Sequence, residues 1–447
     1  MKILGLHDGH NSTACLLEDG KILQVLQEER IKRVKNYSGF PRMAIEEIFS
    51  TFNINSDDID YVALNGKHLP FITDRKETLK YYRKSSTLTG NCIKIIKNSP
   101  MYYLYKQKRN RERLKDLHEI GIPKDKVEFI DHHLAHASAA YYGSPWWQNE
   151  DVLIITNDGA GDNICATVNI GRNGNIERIF SLREEESVAW YYAMVTFALG
   201  MVPLEHEYKV MGLAPYSPEE GREIAFNKFN NLMKFNGVDT LGWERNSGVP
   251  PAAYSYGFVK DLIELMRFDW IAAGLQRWVE SYIAEWIQRC IKKTGINKLA
   301  FSGGFFMNVK ANEVISKMPE IHDMFVFPSC GDESNSIGAA YTLYAEKCRD
   351  VGKEIDINPF GPIYFGTDIK DSEVEKSTLK FENIYIERYS DINKKIGELL
   401  SEGKIVARCN GKMEFGARAL GNRSILTNPS NQKAVRIIND MIKNRDF

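Results

Sequence analysis

Three of the nine histidines of this chain fall within five positions, in the run Asp131-His132-His133-Leu134-Ala135-His136. His132 and His136 are four residues apart, so on a helix their imidazoles share one face, close enough to hold one metal ion. The pair lacks the Glu of H-E-x-x-H, and with it the general base of a metallopeptidase. A strand-like run, Val152 to Thr156, follows and ends in Asn157-Asp158-Gly159-Ala160-Gly161-Asp162. A carboxylate at a strand end beside a histidine pair completes a site for ferrous iron or zinc, and Asp158 and Asp162 can hold the metal or the water around it. Asp332, between a strand over Phe325 to Phe327 and a helix over Ile337 to Ala345, is the natural fourth. A helix merely rich in histidine is the plain alternative.

Glycine junctions accompany these residues. Gly159 and Gly161 allow the backbone to approach a ligand, a hairpin loop being the alternative. Strand Leu299 to Ser302 runs into Gly303-Gly304 before a helix starting near Asn308, which aims helix N–H groups at the adenosine or phosphate portion of a nucleotide. Gly9-His10-Asn11-Ser12 is a polar turn suited to a phosphate or acyl-phosphate, or a plain hairpin. Arg418 and Arg423, within Gly411 to Ser424, could clamp a phosphate or carboxylate, or could be ordinary surface arginines.

The elements that must position these groups follow from hydrophobic pattern. Ile3 to Leu6, Thr13 to Leu17 and Lys21 to Gln27 read as a meander, with Asp19-Gly20 as its second turn. Pro41 opens a helix with Ile45, Ile48, Phe49 and Phe52 on one face, and Tyr61 to Leu64 is another strand. Asp269 to Ile291 is an amphipathic helix whose Trp278, Tyr282 and Trp286 belong to the core. Glu205 to Tyr216, with Gly212 and Pro215 and no clean periodicity, reads as an ordered loop. Asp356 to Pro362 is a Pro/Gly-rich linker, followed by a helix over Asp391 to Glu402 and a strand over Ile405 to Cys409.

With 447 residues, 43% hydrophobic and 26% charged, the chain has material for two or three cores. A net charge of −1 gives no global attraction to nucleic acid or membrane. No run approaches the length of a membrane span, and no signal peptide is visible. Seven scattered cysteines without a C-x-x-C fit a reducing cytoplasm. Between Lys67 and Lys115, however, fourteen Lys/Arg stand against three acidic residues, with Tyr81, Tyr82, Tyr102, Tyr103 and Tyr105 interleaved. That insertion reads as a solvated helical segment or as a surface for an anionic acceptor or nucleic acid.

Eight motifs in order then define a resemblance: G-H-N-S-T-A (9 to 14), Q-E-E-R (27 to 30), D-H-H-L-A-H-A (131 to 137), N-D-G-A-G-D (157 to 162), E-Y-K-V-M-G-L-A-P-Y (207 to 216), S-G-G-F-F-M-N (302 to 308), G-D-E-S-N-S-I-G-A-A (331 to 340) and G-A-R-A-L-G-N-R-S-I (416 to 425). Together they resemble the O-carbamoyltransferases of the nodulation-factor, tobramycin, cephamycin and novobiocin types. The resemblance implies a duplicated actin-like, sugar-kinase-like α/β domain over 1–355, related to the tRNA threonylcarbamoyl transferase. Over 356–447 it implies the N-terminal part of an α+β YrdC-like domain that forms carbamoyl-adenylate.

It further implies that ATP with Mg2+ and carbamoyl phosphate give carbamoyl-adenylate, whose carbamoyl group passes to a hydroxyl of a sugar, natural product or nucleoside. His10 matches the family's catalytic base. His132, His136, Asp158 and Asp332 match the holders of a divalent ion, ferrous iron first and zinc second. Gly159, Gly161, Gly303, Gly304 and Asn308 match nucleotide contacts, and Arg418, Arg423 and Lys443 match carbamoyl phosphate contacts. The chain departs from the family at His10-Asn11, where His-Asp is usual, and at its end, where family members continue. A truncated or split enzyme, with a partner chain supplying the remainder, is the expectation. Carbamoylation or threonylcarbamoylation of a nucleotide or nucleic acid, and a non-catalytic ATP-binding regulator, are the rival readings.

Overall fold

A computed structural model of the chain describes residues 1–67, 79, 80, 82, 83, 100–237 and 239–442. They divide into two compact units between Gly361 and Pro362. The first unit is built twice over. β1 (Lys2–His7), β2 (Thr13–Glu18) and β3 (Lys21–Gln27) form an antiparallel meander, and β4 (Tyr61–Asn65) and β5 (Val127–Ile130) extend it in parallel from β1, giving the order β3-β2-β1-β4-β5.

β6 (Val152–Gly161), β7 (Ile164–Arg172) and β8 (Asn175–Arg183) repeat the meander. β9 (Met233–Phe235) and β10 (Trp243–Arg245) form a small hairpin apart, and β11 (Lys298–Ser302) and β12 (Asp323–Val326) extend the second sheet, so its order is β12-β11-β6-β7-β8. Two sheets of identical order and sense make this the duplicated actin-like, sugar-kinase-like fold. Ile3, Leu4, Leu6, Val62 and Leu64 in the first sheet and Leu153, Ile154, Ile155, Leu299 and Phe301 in the second are fully buried. Unbroken apolar runs are what strands covered on both faces require.

The helix after the last strand of each sheet crosses to the other half. His132–Gly143, which follows β5, packs on β6, β7 and β11, whereas Asn335–Asp350, which follows β12, packs on β1, β2 and β4. The two helices meet where Gly338 has no side chain: a Cβ there would lie 1.8 Å from the Ala135 carbonyl oxygen. Gly5 on β1 serves likewise, since its Cβ would lie 2.0 Å from the Ser336 carbonyl oxygen. Such approaches are far inside van der Waals contact, so only glycine permits them.

Two elements differ from the sequence reading. Glu205 to Tyr216 is not a loop but a helix, Glu207–Leu213, followed by a 3-10 turn, Ala214–Tyr216. Pro215 sits at the start of that new turn, where no N–H is needed, and Val210 anchors the helix by burial. β6 also continues past Thr156 to Gly161 through a bulge, because β7 goes on pairing with it. The hairpin turn falls later, at Asp162 and Asn163, both left-handed with φ of 51° and 67°.

The basic insertion contributes one long helix, Pro100–Glu119. Its Arg113 faces inward with 1% exposure. The guanidinium donates to both Asp8 oxygens at 2.7 and 2.8 Å and to the carbonyl oxygens of Gly66 and Asn65 at 2.5 and 2.6 Å. Arg113 thus drops out of the surface charge, while residues 75, 76, 81, 84, 94 and 97 of the insertion lie outside the described residues. Among the described residues no helix is long and apolar enough to cross a membrane. The second unit holds a helix, Ile392–Ser401, beside the antiparallel pair β13 (Val406–Cys409) and β14 (Arg423–Leu426).

Removing one half of a buried ion pair costs more than removing both. Arg113→Met is therefore expected to destabilise the protein by about 3–5 kcal/mol in urea unfolding, because Asp8 is left buried and unpaired. Arg113→Met with Asp8→Asn should recover most of that loss, and a double variant as unstable as the single one would refute the account.

Candidate metal centre

The crossed helices bring four side chains from distant parts of the first unit to one point. Asp131 caps the histidine helix through Oδ1, which accepts from the Leu134 N–H at 2.9 Å, and Arg178 holds the same oxygen at 2.5 Å. His132 and His136 then project side by side from the first two turns, ring centroids 4.8 Å apart. Asp158 comes from β6 and Asp332 from the turn before Asn335–Asp350. Donor atoms of His132, His136, Asp158 and Asp332 all lie within 4.8 Å of one another.

Three of the donor pairs have the spacing of a shared ion. His132 Nε2 is 3.4 Å from Asp158 Oδ2 and 3.5 Å from Asp332 Oδ1, and His136 Nε2 is 3.5 Å from the same Asp332 oxygen. These separations are long for hydrogen bonds, whereas a tetrahedral ion with bonds of about 2.1 Å holds its donors about 3.4 Å apart. The tautomer of His136 also fits. The Asn335 amide nitrogen, which only donates, lies 3.1 Å from His136 Nε2, and Ser302 Oγ lies 3.1 Å from Nδ1. A neutral His136 then carries its proton on Nδ1 and accepts the Asn335 N–H at Nε2, a lone pair that an ion would take in place of the amide, with Ser302 as the outer hydrogen-bond partner.

Charge explains the rest of the neighbourhood. Burial opposes the negative charge of Asp332, yet His132, His136 and His7 around it hold the carboxylate well below its usual range. Burial and Asp332 likewise oppose Asp158, which His132 and His136 nevertheless hold below its ordinary value. His132 is pushed up to about 9: burial works against its charge, but Asp332, Asp158 and Asp162 outweigh burial. Burial lowers His7 to about 4. Burial and the neighbouring imidazoles lower His133 to about 3, and its ring bonds Thr156 Oγ1 at 2.8 Å and the Ile164 carbonyl at 2.9 Å, so it is a core histidine.

The glycines serve the cluster as well as any ligand. A Cβ on Gly161 would lie 2.1 Å from the His132 ring, and one on Gly304 would lie 2.7 Å from Asp158 Oδ1, to which the Gly304 N–H donates at 3.0 Å. Gly303 takes φ of 107°, open to glycine alone beside the Asn157 carbonyl, and Gly159 lies against Trp190. Asn308 caps the next helix and exchanges two amide hydrogen bonds with Gln276, at 3.0 and 3.1 Å. His10 is half-buried in the turn after β1, and its carbonyl accepts from His7 Nε2 at 2.9 Å.

Arg418 and Arg423 belong to the second unit. Arg418 is exposed. Arg423 is committed to structure, donating to the carbonyls of Asn410, Asn422 and Thr367 at 3.0 to 3.1 Å. Lys443 lies outside the described residues.

Asp162, the second carboxylate of the strand-end run, accepts the His132 N–H at 2.8 Å. Sequence reasoning missed four contributors. Glu414 accepts three N–H groups, of Leu420, Asn422 and Arg423, to shape the arginine loop. His7 and Asn65 sit between the cluster and the first turn. His7-Asp8 directly before Gly9 was the available signal: two polar residues at the buried end of an apolar strand. Glu333, pushed up to about 7 by burial, accepts from Ser329 Oγ and, at 3.3 Å, from Asn11 Nδ2.

Two pH effects follow. An ion must displace the proton of His132, so apparent affinity for ferrous iron or zinc should rise about tenfold per pH unit until pH is near 9, and then level. Asp332→Asn should weaken binding by more than about a hundredfold and flatten that profile, as read by anaerobic titration of chelator-treated protein. In the metal-free protein, His7 and His133 take up less proton than the unfolded chain below pH 6.5, so stability falls toward acid; His132 retains more above pH 6.5, so stability falls toward pH 9. Urea midpoints across that range should show a maximum between these limbs.

Comparison with known proteins places these residues in context. The model of the carbamoyltransferase N-terminus matches residues 2–341, and that of the carbamoyltransferase C-terminus matches residues 397–447. An uncharacterized protein of Methanocaldococcus jannaschii is 29% identical over 443 residues, covering 97% of this chain and 75% of that protein. Nodulation protein NolNO of Sinorhizobium fredii is 26% identical over 443 residues, with 98% of this chain and 61% of that protein covered. The 3'-hydroxymethylcephem-O-carbamoyltransferase of Amycolatopsis lactamdurans is 24% identical over 149 residues, 33% of this chain and 26% of its own.

Proposed function

The chain belongs to the carbamoyltransferase family, and from that premise we propose that it moves a carbamoyl group from carbamoyl phosphate, by way of carbamoyl-adenylate, to the hydroxyl of a small acceptor. The observation that carries this reading is the convergence of His132, His136, Asp158 and Asp332 where the ends of the two sheets meet, with donor atoms all within 4.8 Å of one another. The family description and the name of the cephem O-carbamoyltransferase support the transferred group and the hydroxyl acceptor.

An alcohol is a weak nucleophile at neutral pH, so transfer needs a base within hydrogen-bond reach of it. His10 takes that role: a ring nitrogen accepts the hydroxyl proton as the oxygen bonds the carbamoyl carbon, and AMP leaves with the electron pair of the broken C–O bond. Gly303 and Gly304 let the backbone approach the adenylate, and the Gly304 N–H fixes Asp158. His132, His136, Asp158 and Asp332 would hold a divalent ion, ferrous iron before zinc, which when bound would polarise carbonyl or phosphate oxygens. In the second unit the exposed Arg418 supplies positive charge for carbamoyl phosphate, while Arg423 and Glu414 hold its loop in shape. ATP arrives with Mg2+; water releases phosphate from carbamoyl phosphate, an oxygen of the resulting carbamate bonds the α-phosphorus of ATP, and pyrophosphate leaves with the electron pair of the broken P–O bond.

The test incubates the full chain with ATP, Mg2+, ferrous iron or zinc and labelled carbamoyl phosphate, with hydroxyl acceptors that include nucleosides. Acceptor-dependent labelled product is expected, with kcat lower by about 10²–10⁴ in His10→Ala. Transfer only from pre-formed carbamoyl-adenylate would assign the first half-reaction to a partner chain. Silence even with pre-formed adenylate would overturn the reading in favour of a nucleotide-binding regulator. Preference for a nucleoside or RNA, weakened by salt, would move the acceptor to nucleic acid.

A further inference from the structure

Between the cluster and the turn that carries His10 lie two side chains to which the transfer step assigns nothing. His7 ends β1 and Asn65 ends β4, and both are fully buried. Asn65 Nδ2 lies 2.9 Å from His7 Nδ1, and His7 Nε2 lies 2.9 Å from the His10 carbonyl oxygen. Asn65 is itself held by its backbone, whose carbonyl accepts from Arg113 Nη2 at 2.6 Å. The Asp8 carboxylate, next to His7, is gripped by the same guanidinium.

Donor and acceptor inventory orders these contacts. A backbone carbonyl only accepts, so a neutral His7 must carry its proton on Nε2. Its Nδ1 then presents a lone pair, and an amide nitrogen, which only donates, is the group that satisfies it. Asp332 Oδ2 is 3.6 Å from Nε2, beyond hydrogen-bond range, so the proton points at the His10 carbonyl. We propose that Asn65 and His7 form a relay, Asn65 Nδ2–H to His7 Nδ1 and His7 Nε2–H to the His10 carbonyl oxygen, that sets the turn from which His10 acts.

Asn65 and His7 are positioning residues; neither touches the reacting atoms. The relay rests on the reading of His10 as the base. The strand ends fix the origin of the relay, and the turn has ties of its own. Thr13 Oγ1 bonds the Asn11 carbonyl at 2.7 Å, and the Ser12 N–H bonds the Tyr37 carbonyl at 3.0 Å. Both act after His10. At His10 itself the turn is held by the His7 bond to its carbonyl oxygen and by a backbone bridge to Ser38, and Asn11 next to it donates to Glu333 Oε2 at 3.3 Å. The same Asn65 nitrogen is 3.5 Å from His132 Nδ1, so the relay runs beside a candidate ion ligand.

Asn65→Asp is nearly isosteric and inverts the relay. A carboxylate accepts, so it draws the His7 proton to Nδ1 and leaves the Nε2 lone pair facing the His10 carbonyl. His7→Gln places an amide nitrogen near the former Nε2, which donates to that carbonyl with no tautomer to choose. Spectra of ¹⁵N-histidine-labelled full chain should show the Nε2–H tautomer of His7 in the parent and the Nδ1–H tautomer in Asn65→Asp. In the transfer assay Asn65→Asp should lower kcat by about 10–100-fold with the KM for donor little changed, since a misplaced group costs up to about 10²-fold. His7→Gln should cut that loss to about threefold or less when combined with Asn65→Asp, whereas His7→Leu should not.

An Nδ1–H tautomer in the parent would overturn the relay. So would an Asn65→Asp defect that persists undiminished in the His7→Gln background, which would place its effect at His132; a parallel metal titration of each variant reads that directly. A tautomer change without loss of kcat would overturn the positioning role. Full activity of His10→Ala would show that the base assignment, rather than the relay, had failed.

Discussion

The Asp332 carboxylate is the point on which the first unit turns. It is surrounded by His132 and His136 from one helix face and His7 from a strand end, and the pull of those imidazoles on its charge outweighs the cost of burying it. A half-buried carboxylate without such company would hold its proton more tightly, because desolvation disfavours the charged form. The cluster therefore links charge to architecture: holding Asp332 ionised requires the histidine helix to lie against the second sheet and the Asp332 turn to face the first. A divalent ion would answer the same demand with the same four donors.

Steric permission makes that arrangement reachable. The two crossed helices approach at Gly338 and Ala135, and Asn335–Asp350 approaches β1 at Gly5. A single added carbon at either glycine would push a helix off its partner, and Asp332 with it. Gly161 and Gly304 repeat the pattern at closer quarters, where the missing side chains are the space in which His132 and Asp158 stand. These glycines are explained by packing around the ligands before any nucleotide is considered.

The insertion takes on a different meaning once Arg113 is seen. Part of a segment rich in positive charge is an internal brace that pins the ends of β1 and β4 through Asp8 and two carbonyl oxygens. Any acceptor that engages this segment engages an element tied to the strand ends that bear His7 and Asn65. Recognition and catalysis would then share a support rather than a contact.

The amino-acid pattern alone determined much of this protein. The i, i+4 histidines and the carboxylates at strand ends pointed to four side chains that the fold brings within 4.8 Å of one another, because spacing on a helix and turn chemistry are local properties. The meander Ile3 to Gln27, the helix Asp269 to Ile291 and the strand before Gly303 were legible from apolar periodicity. The helix Glu207–Leu213 was not, because its seven residues carry Gly212 and are stabilised by burial of Val210 against other elements. Arg113, His7 and Asn65 were equally illegible, since a buried polar residue is recognised by its partner, and those partners lie up to 105 residues away. What only the tertiary structure decided is which polar groups face one another: hydrogen bonds and ion pairs between strand ends depend on how two sheets and two crossed helices close, and closure is set by contacts that no local window of sequence contains.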